Sequence, residues 1–172
     1  MAKAWIGLGS NRDEPARQLC SALRHLGATD GIDVLRTSGF YRTAPWGNTE
    51  QDSFVNAVAV LETALEPSTV LDVLLDIEFR MGRQRSDDRW GPRCIDLDLL
   101  TYNEVVLTTP ELELPHPRMH QRAFVLRPLL ELDQTFVIPG IGPAAAECAG
   151  LQNQEVQWLG TADEFCSETD RS

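Results

Sequence analysis

The chain has 172 residues, 42% of them hydrophobic, which is enough for one domain around a single core. Its formal net charge of −11 argues against nonspecific binding to nucleic acid or to an anionic membrane surface, because both need a basic face. Lys3 is the only lysine, and this excludes a Walker-type phosphate loop, which ends in Gly-Lys-Ser/Thr.

The first elements along the chain are predicted from hydrophobic patterning. Trp5 to Leu8 predict a buried strand. Segment 7–11 predicts a tight turn into a helix, and it lacks the third glycine of a dinucleotide-binding fingerprint. Gly27 is expected to end that helix, whose apolar face is formed by Leu19, Ala22, Leu23 and Leu26.

Two strands and a second helix are predicted next. Residues 32–42 and 54–63 have strand character, and the turn-rich segment between them contains Trp46. A loop of this length inside a compact domain is often functional. After Pro67, Ser68 is a reasonable N-cap for an amphipathic helix formed by Val70, Leu71, Leu74, Ile77 and Met81.

The four cysteines predict reduced thiols, because their positions show neither C-x-x-C nor metal-ligand spacing: Cys20, Cys94, Cys148 and Cys166. The apolar run at the N-terminus is too short for a signal peptide, and no stretch of about 18 apolar residues is available to span a membrane. We therefore expect a cytoplasmic protein without a membrane partner. We also expect a monomer, and the net charge argues against a nucleic-acid partner.

The segment RWGPRCIDLDLL, residues 89–100, contains two carboxylates on one face of a predicted strand. Alternation places Asp96 and Asp98 on one face of the strand and Ile95, Leu97 and Leu99 on the other face. At about 3.3 Å per residue, the two aspartate Cα atoms lie about 6.6 Å apart, so the side chains can converge on one cation or support two. Mg²⁺ suits such oxygen ligands. An amphipathic strand with a solvated aspartate face is the alternative.

An arginine-rich segment precedes this strand. Planar, permanently charged guanidinium groups bind phosphate oxygens in bidentate fashion, so arginines beside carboxylates are typical of a phosphate-transfer site. The alternative is that they pair with neighbouring acids, such as Asp87 and Asp88, on a solvated surface. The apparent loop, with Gly91 and Pro92, carries Arg83, Arg85, Arg89 and Arg93.

The last part of the chain has weaker patterns. Residues 102–104 predict a turn into a strand at 105–107. His116 and His120 have zinc-ligand spacing, but the intervening Pro117 argues against a shared helical face. The final thirty residues are acidic and predict a short helix and a tail. We expect a domain over residues 1–142, with 143–172 as a C-terminal acidic extension of the same domain.

The predicted order is strand-helix-strand-strand-helix-strand, with short strands and hairpin-length connections. This order favours an α+β fold, a ferredoxin-like α/β sandwich on a mostly antiparallel sheet.

Five segments together resemble the 6-hydroxymethyl-7,8-dihydropterin pyrophosphokinase family of folate biosynthesis. They are SGFYRTAPWG, FVNAV, IEFRMGR, RWGPRCIDLDLL and LPHPRMHQRAFVLRPL. They occur in the family order over residues 4–140, and the motif R-W-G-P-R-x-I-D-L-D is highly specific.

The resemblance implies a reaction and a catalytic set. The reaction is transfer of the β,γ-pyrophosphoryl group of ATP to the hydroxymethyl group of the dihydropterin, with release of AMP. Two Mg²⁺ ions, bound with ATP, are expected at Asp96 and Asp98, and Arg83 and Arg93 are expected to be the catalytic arginines that hold the phosphates.

The resemblance also implies two binding regions. The pterin would lie in an aromatic sandwich of Phe54 and Phe124, with Asn56 reading its amide-like edge. Further pterin contacts are expected from Thr43, Ala44, Pro45, Trp46, Trp90 and Asp96. ATP contacts are expected from Glu78, Arg83, Arg85, Arg89, Trp90, Arg93, Leu99, His116 and Arg122.

Two other functions use the same sequence features. A Mg²⁺-dependent phosphohydrolase would use the same carboxylates and arginines and would not need a pterin. A catalytically silent binding or scaffold domain would have the same fold, and the two phenylalanines would then be ordinary core residues.

Overall fold

The computed structural model describes residues 1–43, 53–82 and 94–169. The strands in these ranges are β1 (Ala2–Ser10), β2 (Ile32–Thr37), β3 (Phe40–Thr43), β4 (Phe54–Thr63), β5 (Asp96–Tyr102), β6 (Leu107–Thr108), β7 (Glu113–Leu114), β8 (Val137–Ile138), β9 (Gly142–Pro143) and β10 (Val156–Gly160). The helices are α1 (Pro15–Gly27), α2 (Pro67–Gly82), α3 (Ala123–Leu132), α4 (Ala144–Ala149) and α5 (Ala162–Thr169), and a 3-10 helix covers Met119–Gln121. None of these helices is long and apolar enough to cross a membrane.

The main sheet of the described chain is antiparallel throughout. Its strand order is β10-β3-β4-β1-β5, and β2 also pairs with β4. The sequence β1-α1-β2-β3-β4-α2-β5 follows the expected element order, with one predicted strand divided into two. The predicted ferredoxin-like α+β fold is therefore confirmed.

The two faces of the sheet bury separate hydrophobic clusters, and β1 contributes to both by alternation. Ile6 packs with Leu19 of α1 and Leu74 of α2 in one cluster. Trp5 points to the other face and lies in a cluster with Leu126 of α3. Because both faces are covered along much of β1, this strand is nearly continuously buried.

Two predicted helix starts are wrong. Residues 7–10 are not a turn but the second half of β1, because β4 and β5 flank this strand and satisfy its backbone groups. The helix begins only at Pro15, where proline suits the first turn. Ser68 lies inside the first turn of α2, which begins at Pro67, so it is not the N-cap. The predicted stop at Gly27 is confirmed.

The predicted strand at 32–42 is interrupted at Ser38. The Ser38 backbone N–H donates to the Val58 carbonyl at 2.8 Å, and the Val58 N–H donates to the Ser38 hydroxyl at 2.9 Å. This side-chain bond replaces a regular ladder bond and separates β2 from β3, although both strands pair with β4. The predicted strand at 54–63 is confirmed.

The C-terminal residues are more ordered than the predicted short helix and tail. After α4, the chain forms β10, which adds an edge strand to the main sheet, and then α5. The sequence did not predict β10 because it is a short, half-exposed strand, in which the alternation of polar and apolar residues is weak.

The prediction that all four cysteines are reduced is also wrong. Cys20 of α1 and Cys166 of α5 form a disulfide, with their Cα atoms 5.3 Å apart. The two residues are 146 positions apart in the sequence, so their proximity depends on the packing of α5 against α1. Cys94 and Cys148 have free thiols.

Gly39 has no room for a side chain, which gives a test of the β3–β10 packing. A Cβ atom at this position would lie 2.8 Å from the Gly160 carbonyl oxygen and would also collide with the Trp158 indole. We expect Gly39→Ala to lower the free energy of unfolding by about 1–3 kcal/mol, because backbone atoms must shift. Thermal denaturation measures this difference as a lower melting temperature.

Gly27→Ala is the matched control, since a Cβ atom at Gly27 would meet no atom within 4 Å. Its melting temperature should equal or exceed that of the wild type, because alanine favours a helix more than glycine does. Equal melting temperatures for both variants would contradict the predicted close approach at Gly39.

Candidate active site

Two carboxylates at the start of β5 project from the face of the sheet opposite the α1–α2 core. Leu97 and Leu99 are buried in that core, whereas Asp96 is exposed and Asp98 is partly exposed. The predicted alternation is therefore confirmed. In the pairing of β1 with β5, Asp96 lies opposite Gly9 and Asp98 lies opposite Gly7.

The two glycines of β1 form the floor between the functional side chains. Gly9 pairs with Asp96 on one side and with Asn56 of β4 on the other. A Cβ atom at Gly9 would lie only 2.7 Å from the Asn56 Oδ1 atom. Sequence reasoning missed this role, because a glycine pair reads as a turn until both neighbouring strands are known.

The side of the site formed by β3 and β4 contains the predicted pterin residues. Asn56 is buried, and its Nδ2 atom donates a hydrogen bond to the Thr43 hydroxyl at 3.0 Å. Phe54 is directly opposite Thr43 in the β3–β4 pairing. This hydrogen bond fixes the orientation of the Asn56 amide.

Residues at the start of α3 lie across from the carboxylates. An Arg122 guanidinium nitrogen is 3.9 Å from the Asp98 Oδ2 atom, and the same guanidinium lies 5.5 Å from the centre of the Phe124 ring. Both partners of the ion pair are partly exposed, so the pair contributes little to stability. The arrangement instead keeps a cation and an aromatic ring beside the carboxylates.

His116 is partly buried and lies near Asp98. Burial lowers the pKa of its imidazole, and this effect exceeds the opposing one of the nearby Asp98 charge. Its Nδ1 atom accepts a hydrogen bond from the Arg118 backbone N–H at 3.1 Å, so the ring proton lies on Nε2. The His116 backbone N–H donates to the Leu100 carbonyl at 2.8 Å, which attaches this segment to β5.

Glu78 connects α2 to the edge strand. Its Oε2 atom accepts a hydrogen bond from the Leu97 backbone N–H at 3.1 Å. Leu97 is the residue between the two aspartates, so this contact holds the carboxylate-bearing part of β5 against α2.

These residues share one cleft with a volume of about 760 Å³, which is within the range of small-molecule sites. Leu75 and Pro117 also line it. The predicted site residues that line the cleft are Thr43, Phe54, Asn56, Glu78, Asp96, Asp98, Leu99, His116, Arg122 and Phe124. The other predicted site residues lie outside the described ranges: Ala44, Pro45, Trp46, Arg83, Arg85, Arg89, Trp90 and Arg93.

Within the described ranges, no three His, Cys, Asp or Glu side chains are grouped so that they can hold a metal ion together. Asp96 and Asp98 are a pair on one face of β5, and both line the cleft. A pair of carboxylates fits Mg²⁺, which usually takes one or two protein carboxylates and completes its shell with waters and substrate phosphates.

A family described as 7,8-dihydro-6-hydroxymethylpterin-pyrophosphokinase (HPPK) matches residues 5–134. The chain belongs to this family. The matched residues include every described side chain that we assign to the cleft, from β1 through the start of α3. HPPK-type proteins use ATP, generally with Mg²⁺, and this is consistent with the carboxylate pair of β5.

Several curated relatives carry the name 2-amino-4-hydroxy-6-hydroxymethyldihydropteridine pyrophosphokinase. The protein from Methylorubrum extorquens is 47% identical over 140 residues, covering 81% of this chain and 88% of the relative. The protein from Haemophilus influenzae is 42% identical over 139 residues, covering 81% and 86%.

Solved structures share the fold. The HPPK-DHPS of Plasmodium falciparum with pteroate has a TM-score of 0.69 and 15% sequence identity, and the match covers 87% of this chain and 42% of that chain. The chain therefore spans less than half the length of this solved protein. At this identity, the likeness supports the ferredoxin-like fold alone.

The close approach of Gly9 to Asn56 can be tested without a ligand. Gly9→Ala would place a Cβ atom 2.7 Å from the Asn56 Oδ1 atom and should displace the amide that bonds to Thr43. We expect a loss of about 1–3 kcal/mol in the free energy of unfolding and a shift of the Asn56 side-chain amide resonances in NMR spectra.

Gly7→Ala is the matched control on the same strand and face, because its Cβ atom would make ordinary contact at 3.5 Å with the flexible Leu100 side chain. It should leave the Asn56 resonances in place. Unchanged Asn56 resonances in Gly9→Ala would show that this floor position has room for a side chain.

Proposed function

We propose that this chain transfers the pyrophosphoryl group of ATP to the hydroxymethyl group of 6-hydroxymethyl-7,8-dihydropterin and releases AMP, as a step of folate biosynthesis. One observation carries the proposal: Asp96 and Asp98 line the same cleft as Phe54, Asn56 and the other predicted pterin contacts. A reaction between a metal-bound triphosphate and a flat heterocycle needs these two chemistries side by side.

Asp96 and Asp98 would hold Mg²⁺ together with the ATP phosphates, and we propose two ions. When bound, the ions neutralise the triphosphate and stabilise negative charge on the leaving oxygen. The His116 imidazole supplies an Nε2–H donor, and Arg122 supplies a guanidinium 3.9 Å from the Asp98 carboxylate. Both groups are suited to phosphate oxygens.

The pterin would occupy the part of the cleft formed by β3, β4 and the start of α3. Phe54 and Phe124 each present an aromatic side chain to the cleft, and a pterin ring between them would gain stacking energy. The Asn56 carboxamide supplies a donor and an acceptor for the amide-like edge of the pterin. Thr43 holds this carboxamide in position through its hydroxyl.

The remaining assignments follow the family motifs. Arg83 and Arg93 would hold the phosphates during transfer, as the catalytic arginines. Glu78 and Leu99, which line the cleft, would contact the nucleotide. Arg85, Arg89 and Trp90 would add further ATP contacts, and Ala44, Pro45, Trp46 and Trp90 would contact the pterin.

In the proposed reaction, the substrate hydroxymethyl oxygen attacks the β-phosphorus of ATP in line with the bond that breaks. The hydroxyl loses its proton to solvent, and the bond between the β-phosphorus and the oxygen bridging to the α-phosphorus is cleaved, so that AMP leaves. Asp96 would orient the hydroxymethyl group, since its carboxylate lies in the cleft across Gly9 from the Asn56 side. Holding both reactants in one geometry is the main contribution expected from the protein.

A Mg²⁺-dependent phosphohydrolase is not supported by the family or the curated relatives, which are named pyrophosphokinases. Incubation with Mg²⁺ and ATP, with and without the hydroxymethyl-dihydropterin, distinguishes the two activities. We expect mass spectrometry to detect the pterin pyrophosphate and AMP only when the pterin is present. Pterin-independent release of phosphate would overturn the proposal.

The monomeric state and the cytoplasmic location stay predictions from the sequence. Analytical ultracentrifugation of the purified chain tests the first, and a sedimentation coefficient expected for 19.2 kDa supports it.

Replacing either carboxylate tests the metal assignment. We expect Asp96→Asn and Asp98→Asn to lower kcat/KM for AMP formation by at least about 100-fold, because loss of a direct ligand should exceed the 10–100-fold cost of losing an outer-shell partner. The free energy of unfolding should not fall, since both side chains are at least partly exposed.

Asp33→Asn is the control, because Asp33 is an exposed carboxylate on β2 and does not line the cleft. It should retain wild-type turnover. Near-wild-type turnover in Asp96→Asn or Asp98→Asn would rule out that carboxylate as a metal ligand.

Replacing one ring of the proposed aromatic pair tests the pterin position. Loss of a stacked ring costs about 0.5–1.5 kcal/mol in addition to the loss of buried area, so Phe124→Ala should raise KM for the pterin by at least about 2- to 13-fold and leave KM for ATP nearly unchanged. Phe124→Leu keeps apolar volume without the ring face and should give an intermediate value. A larger change in KM for ATP than for the pterin would contradict this assignment.

A further inference from the structure

The residues after the family match continue into the sheet that carries the site. The match ends at residue 134, whereas β10 and α5 follow it in the chain. β10 pairs in antiparallel fashion with β3, and Val156 lies opposite Thr43 in this pairing. Thr43 is the residue that bonds to Asn56 and lines the cleft.

β3 is a short strand that depends on neighbours. It covers only Phe40–Thr43, and it lies between β10 and β4. Without β10, its outer edge would have unpaired backbone groups. The orientation of Thr43, and through it that of the Asn56 amide, is therefore coupled to the C-terminal strand.

α5 holds β10 in place through two contacts with the first half of the chain. The Phe165 ring stacks on Phe40 of β3, with centroids 5.1 Å apart and planes inclined by 9°. One residue further along, Cys166 forms the disulfide with Cys20 of α1. The disulfide therefore links α5 covalently to α1.

A second support keeps β3 attached when β10 loosens. The Glu131 carboxylate of α3 accepts hydrogen bonds from the Gly39 N–H at 2.7 Å and from the Tyr41 hydroxyl at 2.6 Å. Burial and this hydrogen bond raise the pKa of Tyr41, so its hydroxyl remains a donor. Loosening of the C-terminal segment should therefore shift β3 without unfolding it.

We propose that residues 156–166 are a positioning element for the pterin side of the cleft, fastened by the Cys20–Cys166 disulfide, so that reduction of this bond weakens pterin binding. The inference rests on the proposed function, because it takes the β3–β4 wall to be the pterin site. It concerns residues that do not touch the substrate and act through Thr43 and Asn56.

The redox step needs a dithiol reductant. One thiolate of the dithiol attacks a sulfur of the Cys20–Cys166 bond and forms a mixed disulfide, and the second thiolate then releases it. The two cysteines gain two electrons and two protons, and the dithiol becomes a disulfide. The reverse exchange restores the fastened form.

The first measurement tests whether the Cys20–Cys166 disulfide is present in the purified protein. After purification without reductant, iodoacetamide should modify Cys94 and Cys148 in the unfolded chain. Mass spectrometry should show that Cys20 and Cys166 are unmodified and still linked to each other. Treatment with dithiothreitol should make all four available. Full labelling of Cys20 and Cys166 before reduction would overturn the proposal.

The second measurement compares Michaelis constants in the oxidised and reduced protein. Reduction should raise KM for the pterin about fivefold, the lower end of coupling factors between linked sites, with less than about a twofold change in kcat and in KM for ATP. Cys166→Ser should show the raised value with or without dithiothreitol. Cys148→Ser, which keeps the disulfide, should respond like the wild type.

Equal pterin KM values in the oxidised wild type, the reduced wild type and Cys166→Ser would overturn the proposal, as would equal rises for both substrates. Phe165→Ala keeps both cysteines and removes only the ring stacked on Phe40, so it should also raise KM for the pterin. This variant gives the same comparison if Cys166→Ser does not fold.

Amide hydrogen exchange separates failure of this inference from failure of the proposed function. Reduction should speed exchange in β10 and β3 and leave the β1–β4 pairing unaffected, whether or not the pterin is the substrate. No pterin pyrophosphate from the oxidised wild type would overturn the proposed function. Product formation with unchanged exchange in β10 and β3 would overturn only the positioning role.

Discussion

The register of β1 between β4 and β5 is the constraint on which the site depends. Gly9 lies opposite Asn56 on one side and Asp96 on the other, and Gly7 lies opposite Asp98. Side chains alternate strictly along a strand, so a slip of one residue would turn the carboxylates towards the α1–α2 core. Burial of charged groups there without partners is so costly that the hydrophobic pattern excludes the slipped register.

The same register explains why glycine occupies the floor. A Cβ atom at Gly9 would come within 2.7 Å of Asn56 Oδ1, whereas a glycine leaves space between the amide and the carboxylate. Loss of conformational freedom makes glycine unfavourable inside a strand. Pairing of β1 with β4 and β5 and burial of Ile6 and Leu8 in the core offset this cost. One face of β1 therefore stabilises the fold, and the other face carries the glycines of the site.

The side chains around the cleft are held by elements from distant parts of the chain. Glu78 of α2 binds the backbone between the aspartates, and Arg122 at the start of α3 lies 3.9 Å from Asp98. On the other wall, Thr43 orients Asn56 and is itself in a strand paired with β10. Residues after the family match, which ends at residue 134, therefore also help to hold the site through β10.

Local pattern was enough to predict the element order, the ferredoxin-like fold and the shared face of Asp96 and Asp98. These features follow from strand and helix periodicity, which depends only on neighbouring residues. The spacing of residues did not identify a pterin as the substrate. That assignment came from the family motifs. Phe54 and Phe124, taken alone, have the character of core residues.

Only the tertiary structure decided which distant residues meet. It made residues 7–10 a strand, because β4 and β5 pair with them, although two glycines favour a turn locally. It also joined Cys20 to Cys166 across 146 positions and made the weakly patterned C-terminus an edge strand. The sequence by itself determined that Asp96 and Asp98 share one face of β5. The pairing of strands determined which polar groups share a cleft, because that depends on contacts between residues far apart in the chain.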